Sequence, residues 1–517
     1  MSDRVTVLLE PLGRSLSVKR GAELKDILYE YGVEFACGGK GRCKSCRVRV
    51  LEGELEADER MARLLAPEEL KGGWRLACMC RVSGPVTLEV AAYRAVILSD
   101  QRPLDFVPGD GFGIAIDLGT TTLVGQLLDL GSGKTLAVTT ALNPQTAQGG
   151  DVMSRVQLAL SAEGSGKLRS SIRGKLGELV AELVGTGGIE PNRLKSVVLV
   201  GNTVMHHLFG GIDIHSLSRY PFQPEHLGSV EMKASGLGWS LPEAVDIRFL
   251  PCLGGFVGSD VLAGIAATGL YRRQAPGGLV DLGTNGEIVI GDRSGLLCAS
   301  TAAGPAFEGG RISMGMRAAT GAIDSVTNEG GRLFCHVLGD AEPRGICGSG
   351  LVDAVAAGLG LGAIEPSGRL ARGEKKLRLA GPVELTQGDI RELQLSKAAI
   401  AAGIEILLGR LGLDLGRIER VYLAGAFGNY VDVGSARSIG LFPFPAAMVE
   451  PAGNTALLGA KLLLLAGEDG ERTIGEILGK TRHLSLAADP GFQETFVEQM
   501  GFPPPGDRSS ADGGSTR

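Results

Sequence analysis

The chain has 517 residues, 44% of them hydrophobic and 21% charged, with a formal net charge of −6. This composition excludes a disordered or fibrous chain, and the acidic balance argues against general nucleic-acid binding or a polybasic membrane anchor. Glycine is the outlier at 80 residues, about twice the usual ~7%, with no Gly-X-Y period, so it must serve turns, close backbone approaches and helix ends.

At roughly 150 residues per domain the length suggests about three domains. Met1-Ser2-Asp3-Arg4 opens no apolar secretory core, and the most apolar late stretch, Thr455 to Gly467, carries Lys461 and falls short of the ~20 residues a membrane span needs. The expected location is cytoplasmic, with no membrane or nucleic-acid partner.

Residues 1–92 read as one unit. Val5–Leu9 and Leu16–Val18 alternate as a hairpin broken at Pro11 and Gly13. Glu23–Tyr31 has helical spacing, with Leu24, Ile27, Leu28 and Tyr31 on one face, and Arg47–Leu51 and Val86–Val90 alternate like half-buried strands. Residues 93–111, with Pro103, Pro108, Gly109 and Gly111, read as a linker. From Phe112 the pattern becomes strand-turn-strand units and alanine- or leucine-rich helices, as in an α/β protein. Two lobes are expected, near 112–275 and 276–500, followed by a disordered tail at 501–517.

Five of the nine cysteines fall between Cys37 and Cys80, and the rest (Cys252, Cys298, Cys335, Cys347) are scattered. Cys37, Cys43 and Cys46, then Cys78 after a gap of 31 residues, form a C-x5-C-x2-C…C pattern. Four thiolates in a glycine-rich wrap can hold a [2Fe–2S] cluster, the backbone N–H groups pointing at the sulfurs. A structural zinc site is the alternative, although zinc favours two short cysteine knuckles. Cys80 is a spare thiol that shares a side with Cys78 if that segment is extended. Lys40, Arg42, Lys44, Arg47 and Arg49 surround the loop, either as a solvated face or as a collar for an acidic partner.

The second chemical signal is an internal repeat. Gly113-Ile-Ala-Ile-Asp-Leu-Gly-Thr-Thr-Thr returns as Gly278-Leu-Val-Asp-Leu-Gly-Thr-Asn-Gly-Glu, which places Asp117 and Asp281 in equivalent positions. Each reads as a tight, solvent-facing turn between strands. Gly119 would supply a positive φ, while Thr120 and Thr121, with Gly283, Thr284 and Asn285 in the second copy, would hold phosphate oxygens. The aspartates would hold Mg²⁺ through water, since a bare carboxylate repels phosphate. Gly348, Ser349 and Gly350 open a helix whose N-terminus is a natural anion site. Gly425 and Gly428 follow a buried strand and could lie flat against an adenine. Val197–Thr203 is another strand running into a helix. Taken alone, each of these last three segments has an equally good reading as a plain strand–helix turn.

In this order the segments resemble the phosphate, connect and adenosine motifs of the actin, sugar-kinase and chaperone (ASKHA) ATPase superfamily. Joined to an N-terminal cluster loop, and with Gly201-Asn-Thr-Val-Met-His, Gly304-Pro-Ala-Phe-Glu-Gly, Gly345-Ile-Cys-Gly-Ser-Gly and Ala424-Gly-Ala-Phe-Gly, the chain is similar to the reductive activators of corrinoid enzymes. The resemblance implies a multidomain fold. A ferredoxin-like α+β (β-grasp) domain would precede a two-lobed α/β actin-like ATPase, with Asp117 and Asp281 catalytic. It implies a [2Fe–2S] cluster, ATP and Mg²⁺ as cofactors, and ATP-dependent return of a Co(II) corrinoid protein to Co(I) by one low-potential electron. The partners would be a corrinoid protein of a methyltransferase system or a corrinoid iron–sulfur protein, and a low-potential electron donor. A homodimer is left open. The rivals are a small-molecule kinase with a redox sensor and a nucleotide-switched redox binding module. His206 and His207 read as packing or capping residues in preference to metal ligands, and Glu308 as either a polar contact in a cleft loop or part of a structural turn.

Overall fold

The computed structural model describes residues 4–10, 14–28, 33, 46–90, 106, 108–428 and 430–504. Cys37, Cys43, Lys40, Arg42 and Lys44 lie outside the described residues, as do most of the linker and residues 505–517.

Strands β1 (Arg4–Glu10), β2 (Arg14–Lys19), β3 (Arg47–Gly53), β4 (Trp74–Leu76) and β5 (Val86–Glu89) form one mixed sheet in the order β2-β1-β5-β3-β4. Alternation along β1 turns Val5, Val7 and Leu9 inward, where they share a core with Leu24 and Leu28 of the short helix Leu24–Leu28. A mixed sheet crossed by one helix is the ferredoxin-like architecture expected for this segment.

The repeat seen in the sequence is a repeat of topology. The first lobe runs β6 (Phe112–Leu118), β7 (Thr122–Asp129), β8 (Thr135–Leu142), β9 (Leu194–Val200), β10 (Val230–Met232) and β11 (Asp246–Phe249), in the order β10-β11-β9-β6-β7-β8. The second opens with β12 (Gly277–Leu282), β13 (Gly286–Asp292) and β14 (Gly295–Thr301). A small sheet of β15 (Ala322–Glu329), β16 (Arg332–Val337) and β17 (Gly345–Ile346) follows, then a ribbon of β18 (Lys376–Arg378) and β19 (Glu384–Thr386). The main sheet closes with β20 (Arg420–Ala424), β21 (Val449–Gly453) and β22 (Thr481–His483), in the order β21-β20-β12-β13-β14-β22.

In each lobe three antiparallel strands are extended by two parallel ones, β9 and β11 beside β6, and β20 and β21 beside β12. Asp117 is paired with Val200 and Asp281 with Ala424, so both carboxylates stand at the carboxyl ends of central parallel strands. Open α/β sheets bind ligands at those ends.

The lobes also share a core. Ala115 and Val198 of the first sheet pack in one cluster with Leu279 and Ala424 of the second and with helices Ser259–Thr268 and Thr455–Leu465. This shared cluster is what joins the two halves. The two helices cross so closely that a Cβ on Gly459 would lie 1.9 Å from Ala263 O. Gly459→Ala is expected to force them apart at a cost of ~1–3 kcal/mol, read as a lower thermal midpoint of the two lobes. An unchanged midpoint would show that the crossing is looser than described.

The first residues of the expected tail, 501–504, are described and are packed on the second lobe. Phe502 is 4% exposed and donates its N–H to Pro366 O at 2.8 Å, and buried Lys397 donates to Gly501 O.

Candidate functional site

The N-terminal half of the site is a thiol pair. Cys46 is buried at the start of β3, and Cys78 lies in the 3-10 turn Ala77–Met79. The N–H of Ala77 donates to Cys46 O at 2.9 Å, binding the two segments, and the sulfurs stand 3.3 Å apart. That separation is too long for a disulfide and short enough for two thiolates to share a metal. None of the seven described cysteines forms a disulfide. Cys80 closes the turn that carries Cys78, so strand alternation does not set where it points. Its thiol is buried 4.0 Å from Glu56 O, and burial pushes it up to about 12. Such a thiol is a poor thiolate ligand.

In the first lobe, the loop after β6 is held from behind. Asn143 Nδ2 donates to Gly119 O at 2.9 Å, Arg155 Nη2 to Thr120 O at 2.6 Å, and Asn143 N to Thr121 O at 2.8 Å. Three successive carbonyls are thus committed to the protein interior. Asn202 Nδ2 fixes the Thr120 hydroxyl oxygen at 2.9 Å. Gly119 is needed for a reason other than positive φ: a Cβ there would lie 2.6 Å from Thr122 O.

The second copy is built with different contacts. Gly283 N donates to Asn285 O at 3.0 Å, and the Thr284 hydroxyl donates to Glu308 at 3.0 Å. Glu308 is therefore a polar contact to this loop. Gly425 adopts φ +87°, and a Cβ would lie 2.5 Å from Leu282 O and 2.6 Å from Asp281 Oδ1, so the turn after β20 closes directly over the aspartate. Phe427 in the following turn, Gly425–Gly428, stacks on Phe307 with centroids 4.8 Å apart.

The aspartates are not on solvent-facing turns. Both are strand residues, half-buried between the lobes. Burial lifts Asp117 to about 6, against a 2.8 Å hydrogen bond from Asn454 Nδ2 that favours its charge. Burial and then repulsion from Asp117 lift Asp281 to about 7. Asp260, at the start of helix Ser259–Thr268, is lifted to about 8 by burial and by both aspartates. Glu287 on β13 is raised well above the usual range by burial, Asp260 and Asp281. Mutually repelling carboxylates in a cleft fit a divalent cation. Among the described residues no three His, Cys, Asp or Glu side chains form a group that could hold a metal ion directly.

Gly348, Ser349 and Gly350 do not form an open anion cradle. A Cβ on Gly348 would lie 1.7 Å from Phe307 O and one on Gly350 2.3 Å from Ile323 O, while the Ser349 hydroxyl donates to Asp324 O at 2.8 Å. Close packing accounts for this motif. His206 and His207 are both fully buried: His206 Nε2 donates to Gly228 O at 3.0 Å and His207 Nδ1 to Thr203 O at 2.8 Å. Burial holds His206 neutral, with a pKa of about 3.

Comparison with known proteins agrees with this division. Residues 7–83 match the 2Fe-2S iron-sulfur cluster binding domain, 112–273 the RACo middle region, and 278–510 the C-terminal domain of RACo, the ASKHA domain. The corrinoid activation enzyme RamQ of Eubacterium limosum is 32% identical over 96% of this chain and 99% of its own length. The chain belongs to the RACo family of reductive activators. A second family relative, the [Co(II) methylated amine-specific corrinoid protein] reductase of Methanosarcina barkeri, is 30% identical over 76% of this chain and 77% of its own. The solved reductive activator for corrinoid,iron-sulfur protein is 28% identical, with a TM-score of 0.69 over 96% of this chain and 98% of that one. As a RACo-family member the chain is an enzyme, an ATP-dependent reductive activator with a ferredoxin-type domain and an ASKHA ATPase domain. No helix among the described residues is long and apolar enough to cross a membrane.

Several residues of the site in this RACo-family chain escape the sequence patterns. Asn143 and Arg155 lie in segments with no motif. Asn454 has a readable signal: Gly453-Asn-Thr repeats Gly201-Asn-Thr, and both asparagines cap the next helix while their amides reach the first phosphate loop or its aspartate. Glu287 closes the second repeat and meets Asp281 across the β12–β13 hairpin, whereas Asp260 carries no motif and only the fold brings it to the two aspartates.

Proposed function

We propose that this protein passes one electron from a [2Fe–2S] cluster on Cys37, Cys43, Cys46 and Cys78 to a Co(II) corrinoid protein, returning it to Co(I), with ATP hydrolysed between the lobes. The observation that carries the reading is the presence in one chain of a metal-spaced thiol pair and of two facing carboxylate-tipped strand ends with glycine loops. Bound at the thiols, the cluster supplies one-electron chemistry. The residues around it exclude water from Cys46 and fix the spacing to Cys78. In the cleft, Asn143, Arg155 and Asn202 keep the first loop's carbonyls turned away, leaving Thr120 and Thr121 to hold phosphate with Gly283, Thr284 and Asn285. Gly425 and Gly428 flank the adenine side. Asp117 and Asp281 hold hydrated Mg²⁺, and Asp260 keeps its proton affinity near the working pH, which suits a base that takes a proton from water. Held by those four cysteines, the group would supply the single electron that Co(II) gains in becoming Co(I), and an external low-potential donor would have to replace it. Every ~59 mV of unfavourable gap costs tenfold at equilibrium, which gives hydrolysis its purpose.

The test is Co(I) formation, followed by absorbance, from a Co(II) corrinoid protein mixed with the holo protein and a low-potential reductant. Mg-ATP is expected to raise the rate well above the nucleotide-free background. Equal rates with and without ATP, or phosphate transfer to a small molecule, would overturn the reading.

A further inference from the structure

Arg47 and Arg49 belong to the cationic collar expected to face a partner, yet Arg47 is turned toward this chain's own second lobe. It directly follows Cys46, has only 11% of its side chain exposed, pairs with Glu69 at 3.3 Å and lies 5.7 Å from the Trp74 ring centroid. Its Nη2 donates to Arg344 O at 2.8 Å, an interaction between the ferredoxin domain and the ATPase. Arg344 answers with its own guanidinium, which pairs with Glu89 at the end of β5. Those two side chains are 23% and 19% exposed, more shielded than an ordinary surface pair. Arg344 is itself fixed in its lobe, its N–H donating to Gly321 O at 2.8 Å.

The segment that carries this contact continues into the cleft. Arg344 precedes β17, and Gly348, four residues on, abuts Phe307 so closely that a Cβ would lie 1.7 Å from its carbonyl oxygen. Phe307 stacks on Phe427 beside the Gly425 turn, and the adjacent Glu308 accepts from Thr284 of the second phosphate loop. One stretch of backbone therefore touches the ferredoxin domain at one end and, at the other, the Pro305–Glu308 turn, whose Phe307 and Glu308 contact the two loops of the second-lobe nucleotide site.

We propose that Arg47, Glu89 and Arg344 form a docking joint that seats the ferredoxin domain on the second lobe and couples its position to the nucleotide bound in the cleft. The coupling rests on the cleft reading above; the joint does not. Coupling of this kind is reciprocal: if nucleotide shifts the Pro305–Glu308 turn and loosens the joint, breaking the joint must shift nucleotide affinity by the same factor.

A charge swap on the full-length holo protein tests both parts. Glu89→Arg and Arg344→Glu each place like charges across a shielded contact, and the double variant restores the pair in reverse. Small-angle scattering is expected to show both single variants expanded and the double variant compact again. The ratio of affinities for ADP and a non-hydrolysable ATP analogue should change by about 5-fold or more in the single variants and return in the double, the lower end of typical coupling. Cluster absorbance checks that the domain is intact. If reversal unfolds the protein, Glu89→Gln and Arg344→Gln weaken the pair without repulsion and read the same quantities. Wild-type dimensions in the single variants would overturn the joint. Expansion with an unchanged affinity ratio would reduce it to a tether and overturn the coupling. Failure of the wild type to bind nucleotide would instead overturn the cleft reading, and the coupling with it, while scattering still decides the joint.

Discussion

Cys46→Ala protein is expected to purify without iron–sulfur absorption and to reduce no corrinoid, whereas Cys80→Ala protein keeps both properties. The two thiols are only 34 residues apart and both buried, so burial alone does not separate them. Partnership does: Cys46 has Cys78 at 3.3 Å, while Cys80 faces Glu56 O and holds its proton up to about 12. Losing one of four thiolates opens a coordination position on an iron, and cluster stability depends on the full set. Cys78→Ala should match Cys46→Ala. Iron and sulfide analysis of anaerobically purified wild type should give about two of each per chain. ATP hydrolysis without a partner should survive in all three variants, because the cleft lies in a separate part of the fold. Stoichiometric zinc without visible absorption, or loss of the cluster in Cys80→Ala, would sink the ligand assignment.

The parts of this molecule that are legible in the sequence are those in which local pattern and chemistry coincide. The repeat of Asp117-Leu-Gly-Thr at Asp281-Leu-Gly-Thr announces two equivalent strand ends, because a buried β-strand followed by a glycine turn is a local pattern and its recurrence marks duplicated topology. The cysteine spacing likewise announces a metal-binding loop. What stays hidden depends on contacts between distant segments. The local pattern ends the strand before Asp117 and so puts the carboxylate at a solvent-facing turn. The parallel partner β9 extends pairing through Asp117, and the helix capped by Asn454, more than 300 residues away in sequence, closes over it. Gly348 and Gly350 look like an anion cradle in one dimension, whereas in three they are the places where a helix lies against backbone without room for a Cβ. Arg47 illustrates the same limit for charge: beside a cluster loop it reads as a docking collar, and its guanidinium is committed to Glu69 and to the carbonyl of a residue 297 positions away.

Metal-free protein is expected to lose thermal stability as the pH rises from about 5 to about 8, and Mg²⁺ with ADP should restore it most strongly at the upper end. Burial and mutual repulsion lift Asp117, Asp281 and Asp260 to about 6, 7 and 8 in the fold and raise Glu287 well above the usual carboxylate range, against ~4 in an unfolded chain. A carboxyl whose pKa is raised on folding binds its proton more tightly in the native state, so its stabilising contribution is present at low pH. That contribution is lost as pH climbs from the unfolded value through the folded one. Each tenfold gain in proton affinity on folding is worth ~1.4 kcal/mol, so even partial summation over these neighbouring groups gives a loss of roughly 2 kcal/mol, or several degrees in midpoint. A cation competes with those protons, which is why its effect should grow with pH. Asp281→Asn removes one buried charge and should flatten the profile. Asp117→Asn keeps an oxygen to accept from Asn454, so it should fold. Both variants should still lower Mg-dependent ATP hydrolysis by about 100-fold or more, the scale seen when a preorganised electrostatic group is removed from an active site. Scanning calorimetry in EDTA and in Mg-ADP across the pH range reads the stability arm, and phosphate release reads the other. A pH-independent midpoint in EDTA, together with wild-type hydrolysis by both asparagine variants, would show that these carboxylates face one another for packing reasons and that the cation and the phosphates lie elsewhere.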